Sequence, residues 1–94
     1  MGWSCRADAS AVLNRITTGC VARSKSQNVW IEGGRAWMFE LSRVEHDDGA
    51  ITGSIHEFTD LGLSHARRVG GFRIEGDGRI ARGPGWFKAA ARGV

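Results

Sequence analysis

The 94-residue chain has no tyrosine, a single proline and only two cysteines. It also lacks any run of the roughly 18 apolar residues that a membrane-spanning helix needs, and its first residues lack the apolar core of a secretory signal. Two cysteines without a secretion signal are typical of a compartment that keeps thiols reduced. We therefore predict a cytoplasmic protein with no membrane partner and with Cys5 and Cys20 as small buried side chains.

The length and composition predict one globular domain spanning residues 1–94. Hydrophobic residues make up 41% of the chain and charged residues 24%, which is ordinary for a folded domain. Four tryptophans and four phenylalanines supply large apolar surfaces to bury, which disfavours disorder. A chain of this size has room for a single core.

Residues 5–22 show the spacing of an amphipathic helix. Apolar side chains recur three and four positions apart, which places them on one stripe of a helix. The stripe consists of Cys5, Ala9, Val12, Leu13, Ile16 and Cys20. Either Ser4 or Asp8 is suited to cap its first turn.

After residue 28 the apolar period changes to two, which indicates strands. Gly33–Gly34 separates two such segments and suits the positive φ angles of a two-residue hairpin. That hairpin sets Trp30 opposite Trp37, on a face that we expect the helix to cover and that also carries Phe39 and Leu41. A turn at residues 47–49, with Gly49 left-handed, leads to a third strand over residues 50–58. The preferred register sets Glu40 opposite His56.

The remaining residues predict a connection, a hairpin and a tail. Residues 59–70 read as a long loop or a single helical turn, and Gly76-Asp77-Gly78 separates two further short strands. Trp86 and Phe87 would pin a short helix over residues 86–92 to the core. The predicted fold class is therefore α+β: an N-terminal helix on an antiparallel β-meander of four to five strands, with a short C-terminal helix as a further element.

The chain contains no motif that specifies catalysis, a metal or a cofactor. Residues 45–48 form its densest group of carboxylates and imidazole, but they lack the spacing of a calcium loop or a zinc site. Asp-Asp-Gly is also the composition of a tight turn. We predict no catalytic residue, metal or cofactor, and keep an enzyme built on His46, Asp47, Asp48 and His56 as a third hypothesis.

Charge is distributed unevenly along the chain. Residues 1–60 carry six basic and eight acidic side chains, a net −2, whereas residues 61–94 carry seven basic and two acidic ones, a net +5. Eleven of the thirteen basic residues are arginine, which makes bidentate contacts to phosphate. We predict a non-enzymatic protein that binds nucleic acid, another polyanion or an acidic protein surface, on the expectation that these side chains form one patch. The alternative is that they are ordinary solvated surface charges. The predicted site consists of Arg67, Arg68, Arg73, Arg79, Arg82, Lys88 and Trp86.

An alternative prediction is a protein interaction module, such as a phage-type inhibitor of a host protein, or a homodimer. The second face of the predicted sheet is too apolar to be wholly solvated, so another surface would cover part of it. The predicted interface consists of Val29, Ile31, Met38 and Phe58.

One stretch carries a resemblance. Residues 41–53, Leu-Ser-Arg-Val-Glu-His-Asp-Asp-Gly-Ala-Ile-Thr-Gly, resemble a segment of small uncharacterised accessory proteins of phages, prophages and gene cassettes. The resemblance covers thirteen residues and implies a mobile-element context without an activity.

Overall fold

The computed structural model of the protein describes residues 8–22, 28–60 and 62–92. Within them the chain forms two helices and six strands. In chain order these are α1 (Ala9–Gly19), β1 (Val21–Ala22), β2 (Asn28–Glu32), β3 (Arg35–Leu41), β4 (Ile51–Phe58), β5 (Ala66–Ile74), β6 (Ile80–Arg82) and α2 (Gly85–Ala91). The strands lie side by side in sequence order, and every neighbouring pair is antiparallel. The predicted α+β meander is thus confirmed, with a two-residue β1 that the sequence did not indicate.

Helix α1 begins later than its apolar spacing suggested. Asp8 is the N-cap, and its Oδ1 accepts a hydrogen bond from the Ala11 amide at 2.8 Å. The alternative cap, Ser4, and the first member of the stripe, Cys5, lie outside the described residues. Cys20 follows the helix and is half-buried, and this burial raises the pKa of its thiol.

The predicted turns are confirmed where glycine was needed. Gly33 and Gly34 join β2 to β3 with φ of 58° and 78°, which sets Trp30 opposite Trp37. Gly49 and Gly78 also adopt positive φ, at 79° and 92°. These angles cost glycine little because it has no Cβ.

The register of β4 against β3 differs from the prediction by two residues. Glu40 lies opposite Ser54, and His56 lies opposite Met38. Strand β3 ends at Leu41 and β4 begins at Ile51, so the connection is longer than the expected three-residue turn. A slip of two positions keeps every side chain on its predicted face, and Ile55 still shares the face of Trp37 and Phe39.

Residues 66–70, predicted as part of a long loop or a single helical turn, belong to the nine-residue strand β5. This strand pairs with β4 along its whole length, with a bulge opposite Ile55 and His56. Strand β6 pairs only with the last residues of β5, where Arg73 lies opposite Arg82 and Ile74 opposite Ile80. Pairing with β4 outweighs the weak strand propensity of Gly70–Gly71.

Both helices pack on one face of the sheet and form the core with it. Trp86 on α2 stacks on Trp30 and Trp37, with ring centroids 5.6 and 6.2 Å apart. Phe87, also on α2, lies 4.6 Å from the ring of Phe72. The prediction that Trp86 and Phe87 anchor the tail is confirmed, because both are buried.

Two side chains lie on their predicted faces but differ from the prediction in burial. Leu41, at the end of β3, is 52% exposed, although it was expected to join the core. Val29 is fully buried, although it was expected at an interface. Neither helix of the described ranges has the length and apolar character needed to cross a bilayer.

Candidate anion-binding site

The sheet face that points away from the helices carries polar and charged side chains in cross-strand rows. We call this the second face. Directly opposite residues of antiparallel strands share a face. The rows that follow from the register are Glu40, Ser54 and Gly71; Met38, His56 and Arg68; and Thr52, Arg73 and Arg82.

Arg68 and Arg82 bring their guanidinium groups together over Gly71. The Nη2 atoms of Arg82 and Arg68 lie 3.6 and 3.8 Å from the point where a Cβ on Gly71 would be. Both residues are exposed, and neither forms an ion pair with a carboxylate in the described part of the chain. The two nitrogens are therefore no more than about 7.4 Å apart, and the Gly53 carbonyl oxygen lies 3.2 Å from the same point. Because like charges repel, an anion that contacts both guanidinium groups would lower the electrostatic energy.

Ser54 and His56 lie beside this pair on β4. Ser54 Oγ and His56 Nε2 are hydrogen-bonded at 2.9 Å, and Glu40 Oε2 lies 3.9 Å from the same nitrogen. Ser54 is directly opposite Gly71, and His56 is directly opposite Arg68. A hydroxyl and an imidazole are thus the cross-strand neighbours of Gly71 and Arg68 on the second face.

Arg73 and Arg79 are already neutralised. Arg73 donates to Asp48 at 3.0 Å and also to Glu75. Arg79 donates to Asp77 at 2.8 Å. The pKa of Asp77 lies below its usual value, chiefly because the Arg79 amide donates to it.

The other predicted site residues lie elsewhere. Lys88 is exposed on α2, which packs against the opposite face of the sheet. Arg67 faces Glu57 across β4 and β5, and helps to lower the pKa of that carboxyl group. The expectation of one continuous patch is therefore wrong: the arginines divide between the two sheet faces, and Arg73 and Arg79 are paired with acids.

Trp86 was predicted to stack on a ligand, and this too is wrong. Its ring is 7% exposed and is packed among aromatic side chains of the core. A buried indole presents no face to a nucleobase, so the anion site has no stacking contribution from it.

Only part of the predicted protein interface is accessible in the structure. Val29 is fully buried and is excluded, and Met38 is half-buried. Ile31, 56% exposed, and Phe58 help to line a cleft of about 370 Å³ at the end of the second face. Ala36 and Leu63 complete its apolar wall.

The loop after β4 shapes that cleft. Asp60 accepts hydrogen bonds from the Ser64 hydroxyl and from the His65 amide, which hold its pKa at about 2. Leu63 adopts a φ of 56°, which is unfavourable for a side chain with a Cβ. The carboxylate of Asp60 therefore fixes a strained loop at the rim of the cleft.

The acidic segment at residues 45–48 behaves as a turn. Asp48 accepts a hydrogen bond from the Ala50 amide at 3.0 Å, which is the chief reason that its pKa is lowered. His46 Nε2 is 3.1 Å from Thr52 Oγ1. In the described residues no three histidine, cysteine or acidic side chains cluster as metal ligands.

The Ser54–His56 pair does not have the arrangement of a catalytic triad. In such a triad the serine and the carboxylate contact different nitrogens of the imidazole, so that one orients the ring while the other accepts a proton. Here Ser54 and Glu40 both approach Nε2.

Sequence reasoning did not select Ser54. The signal was present in the alternation of Thr52, Ser54 and His56, which places three polar side chains on one face of a strand. No known protein family, curated protein or solved structure matches this chain. The argument for function therefore depends on the geometry of the site.

Proposed function

We propose that the protein is a non-enzymatic binding protein that contacts the phosphate backbone of nucleic acid through the second face of its sheet. The observation that carries the proposal is the convergence of Arg68 and Arg82 over Gly71. Guanidinium groups form charge-assisted, bidentate hydrogen bonds with phosphate. Both arginines are exposed, so a phosphate can reach their guanidinium groups from solvent.

The electrostatic surroundings support this choice of ligand. The net charge of the whole chain is only +3, so general attraction to a polyanion is weak. The Arg68–Arg82 pair is a local exception because no carboxylate of the described residues neutralises it. No aromatic ring of the rows that make up this part of the second face offers a stacking surface, so binding depends on phosphate contacts and is largely independent of base sequence.

Replacing both arginines with glutamine tests the proposal. The fluorescence anisotropy of a labelled 20-mer duplex, measured from 50 to 200 mM salt, gives the affinity and its salt dependence. We expect the Arg68→Gln/Arg82→Gln protein to bind at least about tenfold more weakly at low salt, with a salt slope reduced by about 2, because each phosphate contact contributes about one unit.

A matched control removes the same charge from other places. Arg79→Gln/Lys88→Gln changes one arginine that is already paired with Asp77 and one lysine on α2. We expect this variant to keep most of the binding. Equal loss in both double variants would reduce the effect to net charge, and no binding by the unaltered protein at 50 mM salt would refute the proposal.

The apolar cleft favours a second candidate function, self-association. Ile31 is exposed at the rim of a cleft lined by Ala36, Phe58 and Leu63, and exposed apolar clusters of this kind commonly mark protein contacts. Light scattering at increasing protein concentration measures the association. A dimer that Ile31→Arg converts to a monomer would support this function, and a monomer at millimolar concentration would exclude it.

A further inference from the structure

The two arginines do not stand alone on the second face. Ser54 is the direct cross-strand neighbour of Gly71, so its Cβ is about 5 Å from the position of a Gly71 Cβ, near which both guanidinium groups lie. His56 is the direct neighbour of Arg68, and its Nε2 shares a hydrogen bond with Ser54 Oγ. A hydroxyl held by an imidazole therefore lies on the strand next to the two guanidinium groups.

Two guanidinium groups and a hydroxyl match a phosphate with two charges better than a backbone phosphate. A phosphodiester has a single negative charge and two free oxygens, whereas a terminal phosphomonoester has a charge of about −1.5 to −2 near neutral pH and three acceptor oxygens. Two guanidinium groups balance the charge of a dianion. The Ser54 hydroxyl, which His56 contacts through Nε2, supplies a further hydrogen bond, for which the third oxygen of a monoester is an acceptor.

We infer that Ser54, His56, Arg68 and Arg82 form a binding site for a terminal phosphomonoester, such as the phosphorylated end of a nucleic-acid strand. This inference rests on the proposed function and adds the class of phosphate that the site prefers. Among the described residues, Glu40 is a carboxylate near the β4 side of this site, and it lies on β3, across β4 from the arginines.

The hydrogen bond between Ser54 and His56 makes His56 a positioning residue. Nε2 of the imidazole contacts Ser54 Oγ at 2.9 Å, so His56 acts on the ligand through the Ser54 hydroxyl. The hydroxyl is available to a phosphate in the tautomer in which Nε2–H donates to Oγ.

The test compares two labelled oligonucleotides of identical sequence, one with a 5′-phosphate and one with a 5′-hydroxyl, in anisotropy titrations at pH 7 and 100 mM salt. We expect the phosphorylated strand to bind at least about tenfold more tightly, which is the scale of one or two added charge-assisted contacts.

Variants separate this site from backbone binding. Ser54→Ala and His56→Gln are each expected to reduce the preference for the phosphorylated strand at least about threefold, with little change for the hydroxyl strand. His46→Gln is the matched control, because His46 forms an equivalent hydrogen bond with Thr52 beside Arg73, which Asp48 and Glu75 already neutralise. Thermal unfolding of each variant shows that the fold is retained.

Each outcome bears on one of the two proposals. Equal binding of both strands would overturn the monoester site and leave backbone binding intact. Loss of binding to both strands in Arg68→Gln/Arg82→Gln, with Ser54→Ala affecting only the phosphorylated strand, would support both. A nucleoside monophosphate that competes as well as the whole phosphorylated strand would keep the monoester site and refute the nucleic-acid function.

Discussion

Arg73 and Arg82 lie directly opposite each other on neighbouring strands, yet their surroundings differ. Arg73 is held by Asp48 and Glu75, whereas Arg82 has no carboxylate partner in the described part of the chain and approaches Arg68 instead. The difference shows that the number of arginines does not define a binding site. A guanidinium group can bind a ligand only where the fold has not already paired it with a carboxylate.

The comparison is sharpest if Arg73 is made to resemble Arg82. Asp48→Asn/Glu75→Gln removes both acids and should extend the site from two unpaired arginines to three on the second face. We expect duplex binding to strengthen about tenfold at low salt and the salt slope to steepen by about one unit, as for one added phosphate contact. Anisotropy titrations at several salt concentrations measure both quantities.

Asp77→Asn provides the control for that gain, because it frees Arg79 in the turn between β5 and β6. It should strengthen binding much less than the double change. If the two gains are equal, position on the second face has no special effect, and the contrast between Arg73 and Arg82 has no functional meaning.

The same contrast marks the limit of what the sequence predicts. The Gly33–Gly34 turn and the facing tryptophans were predictable, because a two-residue glycine turn fixes the register of its hairpin. The register of β4 was not, because a slip of two residues keeps the same apolar side chains on the buried face. That slip decides that Ser54, and not His56, lies opposite Glu40.

Ion pairing depends on register and strand length, so it was beyond the reach of sequence patterns. Residues 66–71 carry two arginines and two glycines and give no strand signal of their own, yet β5 begins at Ala66 because β4 offers a partner along its length. Arg68 is brought near Arg82 only because β5 extends back to Ala66. The basic third of the chain was visible in the sequence, but its division into paired and unpaired arginines was not.

A smaller effect is expected on stability. Arg73→Gln breaks contacts with two carboxylates, so we expect the Tm to fall by several degrees, whereas Arg82→Gln should change it by less than about 1 °C. Removal of Arg82 also relieves repulsion with Arg68, which favours no change or a slight rise. Calorimetry at low ionic strength measures the two values, and equal losses of Tm would contradict the distinction between the residues.

The smallest effect concerns acid pH and separates two of the causes that lower the pKa of Asp48. A carboxyl group with a lowered pKa in the folded state stabilises the protein above its ordinary value of 3.8, and this stabilisation is lost as the pH falls. The Tm of the unaltered protein should therefore exceed that of Asp48→Asn at pH 7, and the two should converge below pH 4. The Ala50 amide is the larger cause and Arg73 a smaller one. Most of the difference in Tm between the unaltered and Asp48→Asn proteins at pH 7 should therefore remain when both also carry Arg73→Gln. If the difference disappears, Arg73 and not the turn holds Asp48 in its charged form.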